Sequence, residues 1–292
     1  MTALIPDTSG ILNFILSLLM SIFTILESLT ASSLPKQLDL SEFELVWEDD
    51  FNGDTLDKTV WSGHQLWNTD TVVRKGGYWN LDFATVSDGN LHISTKYFPE
   101  GYNGNGMSGW YSCGITSRYA VKQKYGYFEV RCILPKGCGM WSAFWLTCTG
   151  VTNVDGTGKD GAELDVFESS YYYSDNKNRI TTNIHFDGYG AEKQSENVCI
   201  AEITNNNPYE EYNTYGVEWN EDEYIFYING IETGRSAFGG TSEVEEWLML
   251  TVEVGGADGV PKKSWAGPSV DNSDIITDFI VDYVRVYQYA EK

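Results

Sequence analysis

Residues 223–232 read EYIFYINGIE, two short apolar runs on either side of Asn229-Gly230. Asn-Gly between two such runs is the strongest short-range signal for a β-hairpin, because both residues tolerate the positive φ angles of a type I′ turn. The segment therefore predicts two antiparallel strands joined by a two-residue turn. Similar runs occur along most of the chain on both sides of it.

From Glu42 onward, short runs rich in Val, Ile, Tyr, Phe and Trp alternate with polar residues and end at Gly, Asn or Asp, which is the pattern of strands and turns. Glycine-rich stretches at 101–109 and 150–161 predict long loops. So many antiparallel strands in about 250 residues predict an all-β fold, a single antiparallel β-sandwich of jelly-roll (concanavalin-like) type. The predicted strands are Asn90–Thr95, Tyr125–Ile133, Trp141–Cys148, Ala162–Ser169, Ile180–Phe186, Thr214–Trp219, Glu223–Asn229, Trp247–Val254 and Asp278–Gln288.

Residues 1–34 differ from the rest of the chain. The run ILNFILSLLMSIFTIL at 11–26 is apolar apart from a thin stripe of uncharged polar residues. It is slightly short for a membrane span and slightly long for a signal-peptide core, and the first basic residue is Lys36. We expect a signal peptide or membrane anchor here, with an interfacial or core-docked amphipathic helix as the alternative. The single domain would then span 35–292, in a secreted or envelope-associated protein.

Charge and composition limit the class of partner. Asp and Glu number 42 against 19 Lys and Arg, which gives a formal net charge of −23. Because phosphate and sulfate binding needs clustered Lys and Arg, this balance disfavours nucleic acid, anionic membranes and sulfated or uronic polysaccharides. Aromatic residues make up 14% of the chain, and their flat faces suit stacking on neutral sugar rings. We expect a monomer that binds a neutral polysaccharide or oligosaccharide.

The cysteines and histidines do not indicate a metal enzyme. The five cysteines contain no CxxC pair, which predicts neither a disulfide framework nor a zinc ribbon, although one disulfide would be compatible. The three histidines show no HExxH spacing. We therefore expect no cofactor to be required for catalysis.

Residues 162–170 read AELDVFESS and place Glu163, Asp165 and Glu168 within one otherwise apolar strand. In a regular strand the first two acids share a face and the third points to the other, because side chains alternate. One extra residue inserted as a bulge near Val166 would bring all three to one face. Like charges on one face repel each other, so a fold tolerates them mainly where chemistry uses them. A solvent-facing acidic strand that serves only solubility is the alternative interpretation.

The motif ELDVFE matches the E-x-D-x-x-E signature of glycoside hydrolase family 16, the laminarinase-like β-jelly-roll endo-glycanases. The resemblance covers most of residues 44–288, in the family's order. It includes WEDDFNGDTLDKTVW at 47–61, YGYFEVRCILPKGCGMWSAFWLT at 125–147, YGVEWNEDEYIFYINGIET at 215–233 and VDYVRVYQ at 281–288.

This resemblance implies a retaining double displacement, which requires two carboxyl groups about 5–5.5 Å apart. Glu163 would be the nucleophile, Glu168 the general acid and base, and Asp165 the residue that orients and tunes the nucleophile. The bulged, six-residue form of the motif is similar to that of laminarinases and agarases. It favours an endo-acting enzyme that cleaves a neutral β-glucan with β-1,3 or mixed β-1,3-1,4 linkages. An endo-β-galactosidase or galactanase, a transglycosylase and a non-catalytic glucan-binding module are the alternatives.

Four further residues and one run of tyrosines are candidates for substrate contact. Trp141 and Trp145 are four apart on one predicted strand, so they share a face and would stack on sugar rings beside the carboxylates. Packing in the core is the alternative for both. His185 follows on the next predicted strand, either reaching toward the general acid or serving a structural role. Trp110 and the Tyr171–Tyr173 run flank the motif as candidate subsite residues, although aromatic loops also pack on themselves.

The resemblance also implies a structural calcium ion away from the cleft. The matching positions are Asp50, Gly89 and Asp282, which would supply two carboxylates and a backbone carbonyl as oxygen ligands. Aspartate at the first position is one carbon shorter than the glutamate usual in the family. A plain pair of surface acids is the alternative.

Two segments depart from the family pattern near the predicted cleft. Trp141-Ser142 replaces the usual Trp-Pro, and LMLTVEVGG carries Thr251 and Glu253 where laminarinase-like members tend to have Asn and Ala. These changes leave the reaction chemistry unaltered and put the exact glycan in doubt.

Overall fold

The computed structural model describes residues 35–63, 71–171, 178–271 and 275–291. The apolar segment at 1–34 lies outside these residues, so its assignment stays a prediction. The chain divides into two compact units, Met1–Gln37 and Leu38–Lys292, and the strands named below belong to the second. In the ranges described, no helix has the length and apolar character needed to cross a membrane.

Strands dominate the described residues, and the only helices there are single 3₁₀ turns at Leu40–Glu42, Leu81–Phe83, Tyr102–Gly104 and Gly150–Thr152. The strands are β1 (Phe43–Asp49), β2 (Ser62–Gly63), β3 (Thr71–Arg74), β4 (Gly77–Asn80), β5 (Ala84–Ser87), β6 (Asn90–Ile93), β7 (Lys96–Phe98), β8 (Gly109–Ser112), β9 (Gly114–Thr116), β10 (Lys122–Gln123), β11 (Gly126–Ile133), β12 (Met140–Thr147), β13 (Glu163–Ser170), β14 (Arg179–Phe186), β15 (Gln194–Glu202), β16 (Asn213–Trp219), β17 (Tyr224–Ile228), β18 (Ile231–Ser236), β19 (Glu246–Val254), β20 (Gly256–Ala257), β21 (Val260–Pro261) and β22 (Phe279–Tyr289).

Two eight-stranded antiparallel sheets form the sandwich. Sheet A has the order β18-β17-β16-β11-β22-β6-β5, with β1 also pairing to β22. Sheet B has the order β15-β14-β13-β12-β19-β9-β2, with β10 also pairing to β19. A small sheet, β3-β4-β8-β7, contains the parallel pair β4 and β8, and β20 pairs with β21. The predicted all-β jelly-roll sandwich is confirmed.

The core lies between the two sheets and follows from side-chain alternation. Phe128 and Val130 of β11 in sheet A belong to the same buried cluster as Phe144 and Leu146 of β12 in sheet B. Removing such side chains from water contributes about 1.5–3 kcal/mol each. Because Phe144 and Leu146 face the core, the alternate residues of β12 point to the opposite face of sheet B.

All five cysteines are free thiols, so no disulfide supports the packing of the core.

All nine predicted strands are present within two residues of the predicted bounds. Several other strands were not predicted, among them β15 (Gln194–Glu202) at the edge of sheet B. All of its residues are exposed or half-buried, and its sequence, QSENVCIAE, lacks the apolar repeat by which strands are recognised.

The Asn229-Gly230 turn joins β17 to β18 as predicted. Asn229 has φ of 51° and Gly230 has φ of 74°, and Ile228 pairs with Ile231 across the turn. Two successive positive φ angles characterise a type I′ turn, whose twist matches that of the flanking strands.

We expect Gly230→Ala to lower the free energy of unfolding by about 1–2 kcal/mol, because an L-residue is strained in the left-handed region. A Cβ atom at this position would have no heavy atom within 4 Å, so backbone strain is the dominant effect. Denaturant unfolding measures the loss. Gly63→Ala is the control, because that site is also open but has no positive φ. An equal loss in both variants would contradict the explanation.

Candidate active site

The predicted bulge is present in β13. On one side, Phe144 pairs with Phe167 while the next residue, Trp145, pairs with Asp165. Val166 is therefore the extra residue, and its side chain is buried in the core. The pairing of β13 with β14 shows the same shift. All three acids of the ELDVFE motif consequently line one cleft on the outer face of sheet B.

The cleft has a volume of about 730 Å³, within the range of about 300–1,000 Å³ typical of ligand sites. Carboxylates form its centre, and aromatic and basic side chains surround them. The aromatic residues include Trp141, Trp145, Trp247 and Trp265, and the basic residues in the described part of the chain are Arg74, Lys75, Arg118 and Lys193.

Glu163 lies at the first position of β13 and is only partly buried. Its Oε2 accepts a hydrogen bond of 2.5 Å from the Tyr189 hydroxyl. One ligand atom each of Glu163, Asp165 and His185 lies within 4.8 Å of the others. The geometry of these three side chains would allow them to bind a divalent cation, which would then be coordinated by two of the three acids of the motif.

Asp165 is the most enclosed of the three acids, with 5% of its surface exposed. Burial and the neighbouring Glu163 charge raise the pKa of Asp165 well above its ordinary value. Its Oδ2 lies 3.3 Å from His185 Nε2, and His185 Nδ1 lies 2.8 Å from Ser195 Oγ. Burial lowers the pKa of His185, so the neutral imidazole is favoured. His185 thus connects Asp165 to β15.

Glu168 occupies a different environment from Glu163. Burial, together with the charges of Asp165 and Glu163, raises the pKa of Glu168 to about 8. Its Oε2 accepts a hydrogen bond of 2.8 Å from Asn183 Nδ2, and Asn183 Oδ1 accepts one of 2.9 Å from Asn197. Glu168 therefore holds a proton at neutral pH, and the side chain is fixed by β14 and β15. A proton donor and a second carboxylate on one strand can perform acid and nucleophilic chemistry together.

Both tryptophans of β12 line the cleft, with Ala143 between them. The indole Nε1 of Trp145 donates to Thr251 Oγ1 over 3.2 Å. Trp141 contacts the exposed Trp265, with ring centroids 5.2 Å apart. The predicted common face of the two residues is confirmed, while their contact with sugar stays a prediction.

Trp110 does not have its predicted position. It is 6% exposed and packs against Val254 and Val270, outside the lining of the cleft. All four residues of β8 are buried, so this tryptophan fills a secondary core instead of a subsite. Tyr171 packs against Tyr209, and the remaining tyrosines of that run lie outside the described residues.

The predicted calcium ligands lie near one another, but both of their carboxylates already interact with other side chains. β1 and β6 flank β22, which brings Asp50 and Gly89 near Asp282. The carboxylate of Asp282 is paired with the Arg131 guanidinium, and that of Asp50 accepts from the Asn52 amide. A fixed positive charge on one of only two carboxylates does not fit a calcium site in this arrangement. Calcium at these residues stays a prediction.

Several cleft residues were not identified from the sequence. Arg118 lines the cleft with its guanidinium carbon 4.6 Å from the Trp247 ring centroid. Tyr189 lies in the turn after β14 and contacts Glu163. The surrounding sequence, DGYG, predicts a loop but not this contact. Trp265 and Lys193 also come from loops, where periodicity carries no information. Their positions depend on tertiary structure.

Of the two departures from the family pattern, the one on β19 lies in the cleft, whereas Ser142 is fully buried and outside the cleft lining. Thr251 and Glu253 belong to β19, next to β12, and line the cleft beside Trp141 and Trp145. Glu253 Oε1 accepts a charge-assisted hydrogen bond of 2.6 Å from Arg74 Nε.

Comparisons with known proteins agree with this architecture. Glucan endo-1,3-beta-glucosidase A1 of Niallia circulans is 29% identical over 282 residues, covering 87% of this chain and 39% of its own length. The keratan-sulfate endo-1,4-beta-galactosidase of Sphingobacterium multivorum is 26% identical over 85% of this chain and 56% of its own length. The chain thus spans about half or less of these relatives.

Among solved structures, the catalytic domain of an endo-1,3-beta-glucanase (laminarinase) from Thermotoga petrophila RKU-1 superposes with a TM-score of 0.67. It is 22% identical and covers 85% of this chain and 99% of the solved chain, which supports the fold. The family model described as "Beta-porphyranase A-D, GH16 domain" matches residues 45–289. The chain therefore belongs to glycoside hydrolase family 16.

Proposed function

We propose that the domain is a retaining, endo-acting glycoside hydrolase that cleaves a neutral β-glucan at β-1,3 or mixed β-1,3-1,4 linkages. One observation carries the proposal: Glu163 and Glu168 face a single cleft from one bulged strand, and burial together with the neighbouring acid charges raises the pKa of Glu168 to about 8. The name of the glucan endo-1,3-beta-glucosidase relative supports the choice of substrate.

In the first step, a carboxylate oxygen of Glu163 attacks the anomeric carbon of the bound sugar. The bond from that carbon to the glycosidic oxygen breaks, and Glu168 gives its proton to the departing oxygen. The first product leaves with a free hydroxyl, and the remaining sugar is held as an ester of Glu163. The Tyr189 hydroxyl, 2.5 Å from Oε2, orients the nucleophile before attack.

In the second step, water attacks the same carbon from the side that the leaving group vacated. The ionised Glu168 accepts a proton from this water, and the ester bond to Glu163 breaks. Both carboxyl groups return to their starting states. Asp165 lies between the two glutamates in sequence, and its charge contributes to the raised pKa of Glu168. His185 positions Asp165 through the 3.3 Å contact at Nε2.

We expect Glu163→Gln to lower the turnover of the preferred glycan at least about a thousandfold, because the nucleophile is removed. The test is product analysis on laminarin, mixed-linkage glucan, xyloglucan, agarose and a sulfated galactan. Glu243→Gln, which alters an exposed acid paired with Lys159, should retain full activity. Binding of laminarin with no cleavage of any glycan would instead establish the binding-module alternative.

A sulfated galactan is the second candidate substrate, and a local charge favours it. In addition to Arg74, which is paired with Glu253, Lys75, Arg118 and Lys193 line the cleft although the whole chain carries a formal charge of −23. The net charge that disfavours anionic polysaccharides therefore does not describe the cleft. The name of the keratan-sulfate endo-1,4-beta-galactosidase relative also points to this class. Cleavage of only the sulfated galactan in the same panel would establish it.

The pH dependence should follow Glu168. This group must be protonated to act as the acid, so kcat/KM should fall as the pH rises through about 8. After burial, the charge of Asp165 is the next cause that raises the pKa of Glu168, so in Asp165→Asn the fall of kcat/KM with rising pH should begin at a lower pH than in the wild type. Asp54→Asn, at an exposed site, should not change the pH at which kcat/KM falls. Initial rates between pH 5 and 10 give the pH at which kcat/KM falls. If that pH is the same in Asp165→Asn as in the wild type, the charge of Asp165 does not raise the pKa of Glu168.

We propose further that the protein is exported, with residues 1–34 as the signal or anchor. The full chain, expressed in a secreting host, should yield a domain whose N-terminus lies near residue 35 in the medium, or an intact chain in the membrane fraction. N-terminal sequencing distinguishes the two. An intact chain in the cytosol alone would contradict export.

A further inference from the structure

An unusual carboxylate lies in the cleft beside the proposed catalytic residues. Glu253 is 3% exposed, yet it belongs to the cleft lining. Its Oε1 accepts from Arg74 Nε at 2.6 Å, whereas its Oε2 has no hydrogen-bond donor among the residues that the structure describes. A buried acceptor without a donor is costly, so this atom is suited to a donor that arrives with a ligand.

The ion pair is held rigidly by the β3–β4 turn. Gly76 N–H donates to Val254 O over 2.8 Å, and a Cβ atom on Gly76 would lie only 2.2 Å from Gly255 O. Glycine therefore allows this turn to pack directly on the end of β19. Beneath Arg74, the Trp79 ring lies 4.7 Å from the guanidinium carbon. The Arg74 side chain is thus fixed between an aromatic face and a carboxylate.

The position of Glu253 makes it a binding residue and not a reacting one. Ala143 pairs with Glu168 on one side and with Thr251 on the other, and Glu253 lies two residues further along β19. Standard strand spacings then separate the Cα atoms of Glu168 and Glu253 by roughly 12 Å. Trp141, the cross-strand partner of Glu253, provides an aromatic face beside it.

We propose that Glu253 Oε2 accepts a hydrogen bond from a free sugar hydroxyl and thereby selects an unsubstituted, neutral sugar ring at this end of the cleft. Ionised carboxylates only accept hydrogen bonds, so a hydroxyl is matched and a sulfate ester is repelled. Arg74 holds the carboxylate in place and can donate to a neighbouring oxygen of the same ring. This inference rests on the proposed function and specifies its substrate at one subsite.

Glu253→Gln tests the proposal, because the amide presents N–H groups where the hydroxyl needs an acceptor. We expect KM for the preferred oligosaccharide to rise about tenfold or more while kcat stays within about twofold. The matched control is Glu232→Gln, which alters a Glu–Arg pair on edge strand β18 and should change neither constant.

Oligosaccharides that each lack one hydroxyl provide a readout that a structural role would not affect. One of them should lose about tenfold or more in kcat/KM with the wild type but little further with Glu253→Gln. Equal KM in the variant and the wild type, or losses that follow a lowered melting temperature with no specific hydroxyl involved, would overturn the proposal. If the wild type cleaves no glycan, the proposed function fails, and calorimetric binding of the same oligosaccharides to both proteins still decides the role of Glu253.

Discussion

The two-residue repeat of side chains in sheet B is the constraint on which the site depends. Along β12, Phe144 and Leu146 enter the core while Trp141 and Trp145 face the cleft. The same repeat on β13 would send its third acid into the core, where an unpaired carboxylate is prohibitively costly. The buried Val166 absorbs one step of the repeat, so the core keeps an apolar side chain and the cleft gains its third carboxylate.

The surroundings then differentiate groups that are chemically alike. Glu163 and Glu168 are both half-buried, but Glu163 accepts from Tyr189 whereas Glu168 accepts from Asn183. Desolvation together with the neighbouring acid charges raises the pKa of Glu168 to about 8. Asp165 is buried between them in the strand and paired with His185. Because each acid experiences a different combination of desolvation and neighbouring charge, one strand can supply both an acid and a nucleophile.

The cleft also shows why net charge is a poor guide to a local partner. A chain with a formal charge of −23 collects four basic side chains around its central acids. They come from the end of β3, from the β3–β4 turn and from loops, which pack onto sheet B only in the folded state. Arg74 is paired with Glu253, whereas the Arg118 guanidinium carbon lies 4.6 Å from the centroid of the Trp247 ring.

The sequence by itself determined the β-sandwich, the Asn229-Gly230 hairpin and the bulged triad of acids, because alternation and turn preference are local properties. Tertiary structure alone decided that Trp110 is buried and that Arg131 pairs with Asp282. It also joined Arg74 to Glu253, which are 179 residues apart. Local patterns show which face a side chain takes, but the element packed against that face is set by the whole fold.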